Sequence, residues 1–292
     1  MCMMFYPEGS DADTAGTKIL VAPIQFGSVR GQLTVYKNTI RGTERENLAG
    51  SSSVWESALS GDSPPDDGPR AAMIIPVRCN AEDKVTMVQG FDKVEEFFSK
   101  LDKAFHRRTR STKDGLLGGP RSMSANYLKV VKVGSYRVSI ADTSTDVLER
   151  INPDVFSLPD EAVSILLRCD PAQYKFVVCT IPDVGEYEPL AWITNRYGNE
   201  LVVPVLHEVD EPTFDHMIYA PTGVGRLSYF GSGDRLNFGR SLTSTTRENE
   251  NLFPSLQRAL PNLYNLIEND LNWARTIMSG QRSVNHDILV KI

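Results

Sequence analysis

The residue with the clearest chemical potential is Cys2, which precedes a strand-like run in the sequence MCMMFYPEGS. Removal of Met1 would leave Cys2 with a free α-amine beside its thiol. In N-terminal-nucleophile enzymes such an amine is the base that activates the nucleophile. An α-amine titrates near ~8 and a free thiol near ~8.5, so neighbouring groups can tune both. Cys2 is therefore the catalytic candidate, for a hydrolase of amides or esters; the alternative is a cysteine in a frayed terminus.

A second group of chemically capable side chains lies in the segment LHEVDEPTFDH, which ends at His216. Two histidines with a carboxylate can bind zinc or iron. His207 and His216 would stand at the end of one strand and the start of the next, on neighbouring strands if these are antiparallel. The spacing is not that of a metalloprotease motif. His207, Asp215 and His216 are the metal candidates, with zinc as the candidate ion; the alternative is a solvated acidic turn.

The composition restricts the partners. The chain has 292 residues and a net charge of −6, which disfavours binding to nucleic acid except through the basic loop Arg107–Arg121. No apolar run approaches the ~18–20 residues that span a bilayer. Without a basic and apolar leader the protein is not expected to be secreted. The four cysteines have no paired short spacing, which favours a reducing compartment.

Apolar patterning predicts the elements that must position these side chains. Alternating or continuous apolar runs predict strands, and TKILVAP and QLTVY are expected to form a hairpin. The segment DKVEEFFSKLDKAF carries Phe97, Phe98 and Leu101 at helical spacing, which predicts a helix with these residues in the core. A second apolar stripe predicts a closing helical region over Phe253–Met278.

The order of these elements predicts the fold class and the domains. Strands followed by helices without strict alternation indicate an α+β protein, with a largely antiparallel sheet, helices packed on it and a C-terminal helical extension. The core domain is expected over residues 1–220, with a mobile insertion over residues 41–70 that is rich in Ser, Gly, Pro and Asp. Residues 221–292 are expected to form a linker and the helical extension.

Several of these segments resemble one known family. The initial Met-Cys, TKILVAP, QLTVYKN, AAMIIPV, VGSYRVSIA and LVVPVLHEVDEPTFDHMIYA are similar to an uncharacterised family of amoeba-infecting giant DNA viruses, some protists and bacteria. The resemblance covers roughly residues 1–220. Members begin with Met-Cys and carry a His-X-His pair before a later Asp-His pair. Here His207, Asp215 and His216 match, whereas Val209 occupies the second histidine position.

The resemblance implies a function class but no reaction. Together with the long low-complexity loops and the lack of a complete catalytic set in the sequence, it predicts a non-enzymatic binding or structural protein of a giant virus, carried in the virion, and a location in the host cytoplasm or the particle. Its partners would be proteins, such as capsid or other virion proteins. The alternatives from the residues are the hydrolase that uses Cys2 and a metal-binding protein that uses His207, Asp215 and His216.

Overall fold

A computed structural model describes most of the segments for which strands were predicted. It describes residues 3–5, 12–14, 16–26, 28–42, 70–88, 97–99, 101, 127–134, 136–158, 163, 166–180, 185–186, 188–195, 199–206, 213–222, 242–243, 272–281 and 287–291. Of the predicted insertion, Arg41 and Gly42 end one strand and Arg70 begins another, while the remainder lies outside the described residues. The basic loop Arg107–Arg121 also lies outside them.

The described residues are mostly in β-strands. In chain order these are β1 (Met3–Phe5), β2 (Ala12–Thr14), β3 (Thr17–Phe26), β4 (Val29–Lys37), β5 (Thr39–Gly42), β6 (Arg70–Arg78), β7 (Thr86–Met87), β8 (Val131–Val133), β9 (Tyr136–Ala141), β10 (Phe156–Ser157), β11 (Tyr174–Thr180), β12 (Gly185–Glu186), β13 (Leu190–Asn195), β14 (Glu200–Val203), β15 (Thr213–Thr222), β16 (Leu242–Thr243), β17 (Asn272–Gln281) and β18 (Ile288–Lys291). One short helix, α1, spans Ser144–Arg150.

Within the described residues the strands form four sheets. The largest has the order β16-β17-β15-β3-β4-β13-β7, and a six-stranded sheet has the order β1-β6-β11-β9-β8 with β10 beside β6. Two smaller sheets have the orders β12-β5-β2 and β14-β18. Most pairs are antiparallel; β15 pairs with β3, and β10 with β6, in parallel. The predicted hairpin is confirmed as β3 and β4, which pair from Lys18↔Lys37 to Phe26↔Val29.

Strand alternation divides the core into layers. Successive side chains of a strand face opposite sides of a sheet, so a strand that is buried on both faces supplies two clusters. On β3, Ile19 and Val21 join the cluster between the two large sheets, whereas Leu20 and Ile24 join a cluster on the outer face. Both sheets are therefore covered on both faces in this region.

The helical residues pack on the outer faces of the two sheets. Phe97, Phe98 and Leu101 are buried against the seven-stranded sheet, and the described residues among 97–101 are helical, which confirms that part of the predicted helix. Val147 of α1 packs on the outer face of the six-stranded sheet. No described helix is long and apolar enough to cross a membrane.

The expected fold class and C-terminal helical extension are wrong. The fold is mostly β, and helices contribute little to the described residues. Within the closing region, residues 272–281 form β17, which pairs with β15 over its whole length, and residues 288–291 form β18, which pairs with β14. Ala274 and Met278 have the spacing of an apolar helix face. The hydrogen bonds between β17 and β15 nevertheless stabilise a strand here, because tertiary pairing can outweigh local helix propensity.

Candidate functional site

The predicted site residues are only partly within the described chain. Cys2 and His207 lie outside the described residues, so their roles stay predictions. Asp215 and His216 are neighbours on β15, where Asp215 is exposed and His216 is buried. The backbone N–H of Asp215 donates a hydrogen bond to Nδ1 of His216 over 3.1 Å.

The position of Asp215 and His216 on one strand separates their side chains. Successive residues of a strand face opposite sides of the sheet, and the different burial of these two residues agrees with that rule. Both side chains therefore cannot ligate one ion while β15 keeps its pairing. Among the described residues, no three His, Cys, Asp or Glu side chains are grouped as metal ligands.

The described chain contains a cavity with both polar and apolar surface at the junction of three sheets, which we call the three-sheet cavity. Its volume is about 500 Å³. The seven-stranded sheet contributes one wall, the end of β6 and the start of β11 contribute the second, and the β14–β18 pair contributes the third. The described residues that line it are Gln32, Arg78, Cys79, Asn80, Gln173, Thr194, Asn195, Glu200, Val202 and Leu289.

Strand alternation explains why the third wall is amphipathic. Glu200 and Val202 are on the face of β14 that lines the cavity, whereas Leu201 on the opposite face packs in the core between the sheets. On β18, Leu289 lines the cavity, and its neighbour Val290 packs in that same core. The same two strands thus close the hydrophobic core and build a polar wall.

The floor of the cavity is fixed by the buried side chain of Gln32. Its Nε2 donates to the carbonyl oxygen of Val202 over 2.6 Å, and its Oε1 accepts from the N–H of Val202 over 2.7 Å. Nε2 also donates to Oγ1 of Thr34 over 2.8 Å. The side-chain amide thereby bonds β14 as a neighbouring peptide group would, and it holds β14 against the seven-stranded sheet.

A second network fixes the rim beside β13. The carboxylate of Asp83, which is only 2% exposed, accepts from the backbone N–H of Asn80 and from Nδ2 of Asn195, each over 2.8 Å. Hydrogen bonds to a carboxylate are among the strong ones in proteins. Both oxygens of Asp83 are therefore occupied, and Asn80 and Asn195 are held in fixed positions at the mouth.

Two opposite charges lie at the rim. Arg78 is exposed at the end of β6, and Glu200 is half-buried at the start of β14. Among the described residues, neither side chain makes a hydrogen bond or an ion pair. The cavity therefore offers one guanidinium and one carboxylate, from different walls, to whatever enters it.

The thiol in the cavity is not an activated nucleophile. Cys79 is 7% exposed, and its Sγ donates to the carbonyl oxygen of Val77 over 3.4 Å. Burial, with the nearby charge of Asp83, raises the pKa of Cys79 to about 11. Because the thiolate is the reactive form, Cys79 is protonated and unreactive at neutral pH.

A buried carboxyl group lies near the β6 wall. Asp287 precedes β18, and its Oδ1 accepts from the backbone N–H of Val205 over 3.0 Å. Burial raises the pKa of Asp287. Burial and the Asp287 carboxyl also raise the pKa of Tyr174. The positive charge of Arg78 partly offsets these shifts, because it lowers the pKa of both Tyr174 and Asp287.

Reasoning from the sequence missed the whole three-sheet cavity. Its residues are distant in the chain, and no motif links them. One signal was available: Gln32 and Thr34 are polar residues on the same face of an otherwise buried strand, β4. Buried polar side chains must find hydrogen-bond partners, so such a pair indicates a place where the core meets something polar.

The comparisons with known proteins give a distant likeness. No protein-family model and no curated protein matches the sequence. The structure is similar to that of baculovirus P35, with 13% identity, a TM-score of 0.46 and 99% of each chain covered. A mutated baculovirus P35 after caspase cleavage gives 12% identity and a TM-score of 0.42, with 96% of this chain and 98% of that chain covered. Because these TM-scores are below 0.5, no function follows from the likeness.

Proposed function

We propose that the protein is a non-enzymatic binding protein whose three-sheet cavity holds a segment of a partner protein. The observation that carries this proposal is the cavity itself, with fixed walls and two charged side chains at its rim that make no hydrogen bond or ion pair to another described residue. A volume of about 500 Å³ lies within the range of ligand sites in proteins. Preorganised walls lower the entropy cost of binding, because few side chains must be ordered by the ligand.

The chemistry of the lining supports recognition rather than reaction. Cys79 is held protonated, and the oxygens of Asp83 are engaged by Asn80 and Asn195. A general base must be within reach of the proton that it removes, and Asp83 is already occupied as a structural acceptor. The amide side chains of the described lining, on Gln32, Asn80, Gln173 and Asn195, bind but do not transfer protons at neutral pH, and Arg78 and Glu200 supply one charge of each sign.

The same lining supports a peptide as the ligand. Each primary amide carries both donors and acceptors, as each peptide group does. Asn80, Gln173 and Asn195 are exposed side chains around the mouth, whereas Val202 and Leu289 supply an apolar surface within it. A short extended peptide is complementary to this lining, because its backbone groups form hydrogen bonds with the amides and its side chains can occupy the apolar surface.

Selection of peptides from a random displayed library against the full-length protein tests this proposal. Enriched peptides are then titrated calorimetrically against the wild type and Glu200→Trp, in which an indole ring obstructs the mouth from an edge strand that tolerates aromatic residues. Leu167→Trp is the matched control, because Leu167 is exposed and does not line the cavity. We expect at least a roughly tenfold loss of affinity for Glu200→Trp alone. Equal affinities for all three proteins would contradict the proposal.

The viral role rests on the sequence resemblance. We propose that the partner is a protein of a giant virus and that the chain is carried in the virion. Mass spectrometry of purified particles tests this directly, with a host cytoplasmic protein as the control for contamination. A chain found in infected cells but absent from particles would contradict the virion role and leave the binding role intact.

A further inference from the structure

We propose that the three-sheet cavity selects peptide segments that carry one acidic and one basic side chain. The acidic side chain binds Arg78, and the basic side chain binds Glu200. This inference rests on the proposed function, because it specifies the ligand of the same cavity. It concerns the charge pattern of the ligand, which the binding role alone does not fix.

The two charged side chains, Arg78 and Glu200, lie on different walls of the cavity. Arg78 belongs to the wall at the end of β6, and Glu200 belongs to the wall formed by β14 and β18. Because the two walls carry opposite charges, the electrostatic potential differs between the two sides of the cavity. A ligand with a complementary pair of charges is then favoured in one orientation and disfavoured in the reverse one.

The charged groups of Arg78 and Glu200 are available to pair with a ligand. Among the described residues, the side chains of Arg78 and Glu200 have no hydrogen-bond or ion-pair partner. A ligand that enters the cavity displaces water from both. A charged group that loses water without gaining a partner costs free energy, so a neutral ligand leaves two such groups and a singly charged ligand leaves one. A ligand with both charges leaves none.

Other ionisable groups lie near the two charges. Cys79 lines the cavity and is protonated at neutral pH, because burial raises its pKa to about 11. Asp83 is buried beside the lining and is occupied by Asn80 and Asn195, and Asp287, which interacts with the charge of Arg78, is buried with a raised pKa. Among the described lining residues, the charges presented to a ligand are those of Arg78 and Glu200. The guanidinium of Arg78 can also bind a carboxylate through two parallel hydrogen bonds, which an ammonium group cannot do.

The position of the Glu200 wall relative to the seven-stranded sheet is held by Gln32. Its amide makes two short hydrogen bonds to the backbone of Val202, two residues from Glu200 on β14. β4, which carries Gln32, is itself paired along its length with β13. Glu200 is therefore carried on a fixed strand, and the cavity can discriminate between ligands by the order of their charges.

Calorimetric titration of the full-length protein with five blocked hexapeptides tests the inference. The peptides share one alanine-based sequence and carry Asp then Lys, Lys then Asp, Asp alone, Lys alone, or no charge. We expect one of the two doubly charged peptides to bind at least about tenfold more tightly than the uncharged peptide, and more tightly than its reversed order. Arg78→Gln should remove the gain in affinity that the peptide's Asp provides. Glu200→Gln should remove the gain in affinity that its Lys provides.

A charge-swapped variant sharpens the test. In the double variant Arg78→Glu with Glu200→Arg, the preference between the two doubly charged peptides should reverse. Equal binding of all five peptides, or no measurable binding of any, would overturn the inference. If library-selected peptides still lose affinity on Glu200→Trp, the proposed function stands while the charge pattern fails. If they do not, the proposed function fails.

Discussion

The three-sheet cavity and the start of β15 are opposite cases of how sequence and structure place chemical groups. At β15, Asp215 and His216 are adjacent in the chain, yet one is exposed and the other is buried on opposite sides of a strand. In the cavity, Gln32 and Val202 are 170 residues apart in the chain, yet they share two hydrogen bonds. Proximity in a β-protein depends on strand pairing and on alternation, both of which are non-local.

The comparison also explains how much the sequence could predict. Apolar runs predicted several of the strands, and the segment around Gly27 correctly predicted the hairpin of β3 and β4. Helical spacing correctly predicted the burial of Phe97 and Phe98, but it failed for the region that contains β17. Local patterns report which face is apolar; they do not report whether a partner strand is available to pair.

The candidate site was less predictable than the fold for the same reason. The sequence drew attention to residues that are close together in the chain, such as Asp215 and His216. The cavity is built from single residues at the ends of several strands, including Arg78 and Glu200. Nothing in a single sequence gives the register that brings those strand ends together.

The largest expected effect concerns the side chain that joins β4 to β14. Gln32→Leu removes both hydrogen bonds to Val202 and leaves a backbone donor and a backbone acceptor without their partner. Each such group costs about 1–3 kcal/mol, so the free energy of unfolding should fall by about 2–6 kcal/mol. Urea unfolding measures it. Lys132→Leu, at an exposed position of β8, is the control, with an expected change within about 0.5 kcal/mol.

A smaller loss is expected at the rim of the same cavity. Asp83→Ala removes the acceptor of Asn80 N–H and of Asn195 Nδ2, and hydrogen bonds to charged groups are worth about 1.5–3 kcal/mol each. Water at the mouth can replace part of these two hydrogen bonds. We therefore expect the free energy of unfolding to fall by about 2 kcal/mol. Asp154→Ala, at an exposed carboxylate, should change it by less than about 0.5 kcal/mol. Equal effects of the two variants would show that the rim network is not structural.

The pH dependence of stability should reveal Asp287. Burial raises its pKa in the folded protein, so the folded state keeps a proton that the unfolded state has already released. Stability therefore decreases as the pH rises from the ordinary carboxyl range through the raised pKa. Asp287→Asn cannot release that proton, and its unfolding free energy should decrease less over about pH 4 to pH 8. Parallel pH profiles for the two proteins, measured by urea unfolding, would contradict this assignment.

The smallest expected effect concerns the predicted metal ligands on β15. If His207 and His216 bind zinc, Asp215 should not share the ion with His216, because the two side chains face opposite sides of the strand. Asp215→Asn should therefore leave the zinc affinity of the untagged protein within about twofold of the wild type. Zinc titration calorimetry checks it, and a loss of about tenfold or more would show that β15 changes its pairing when metal binds.

The central claim is that the three-sheet cavity, and not the start of β15, is the ligand site. The most direct test is a nuclear magnetic resonance titration of the isotope-labelled protein with a library-selected peptide. We expect the largest shift changes at the side-chain amides of Asn80, Gln173 and Asn195, with the backbone amides of Asp215 and His216 unchanged. Changes concentrated at Asp215 and His216, with the three cavity amides unmoved, would contradict the account.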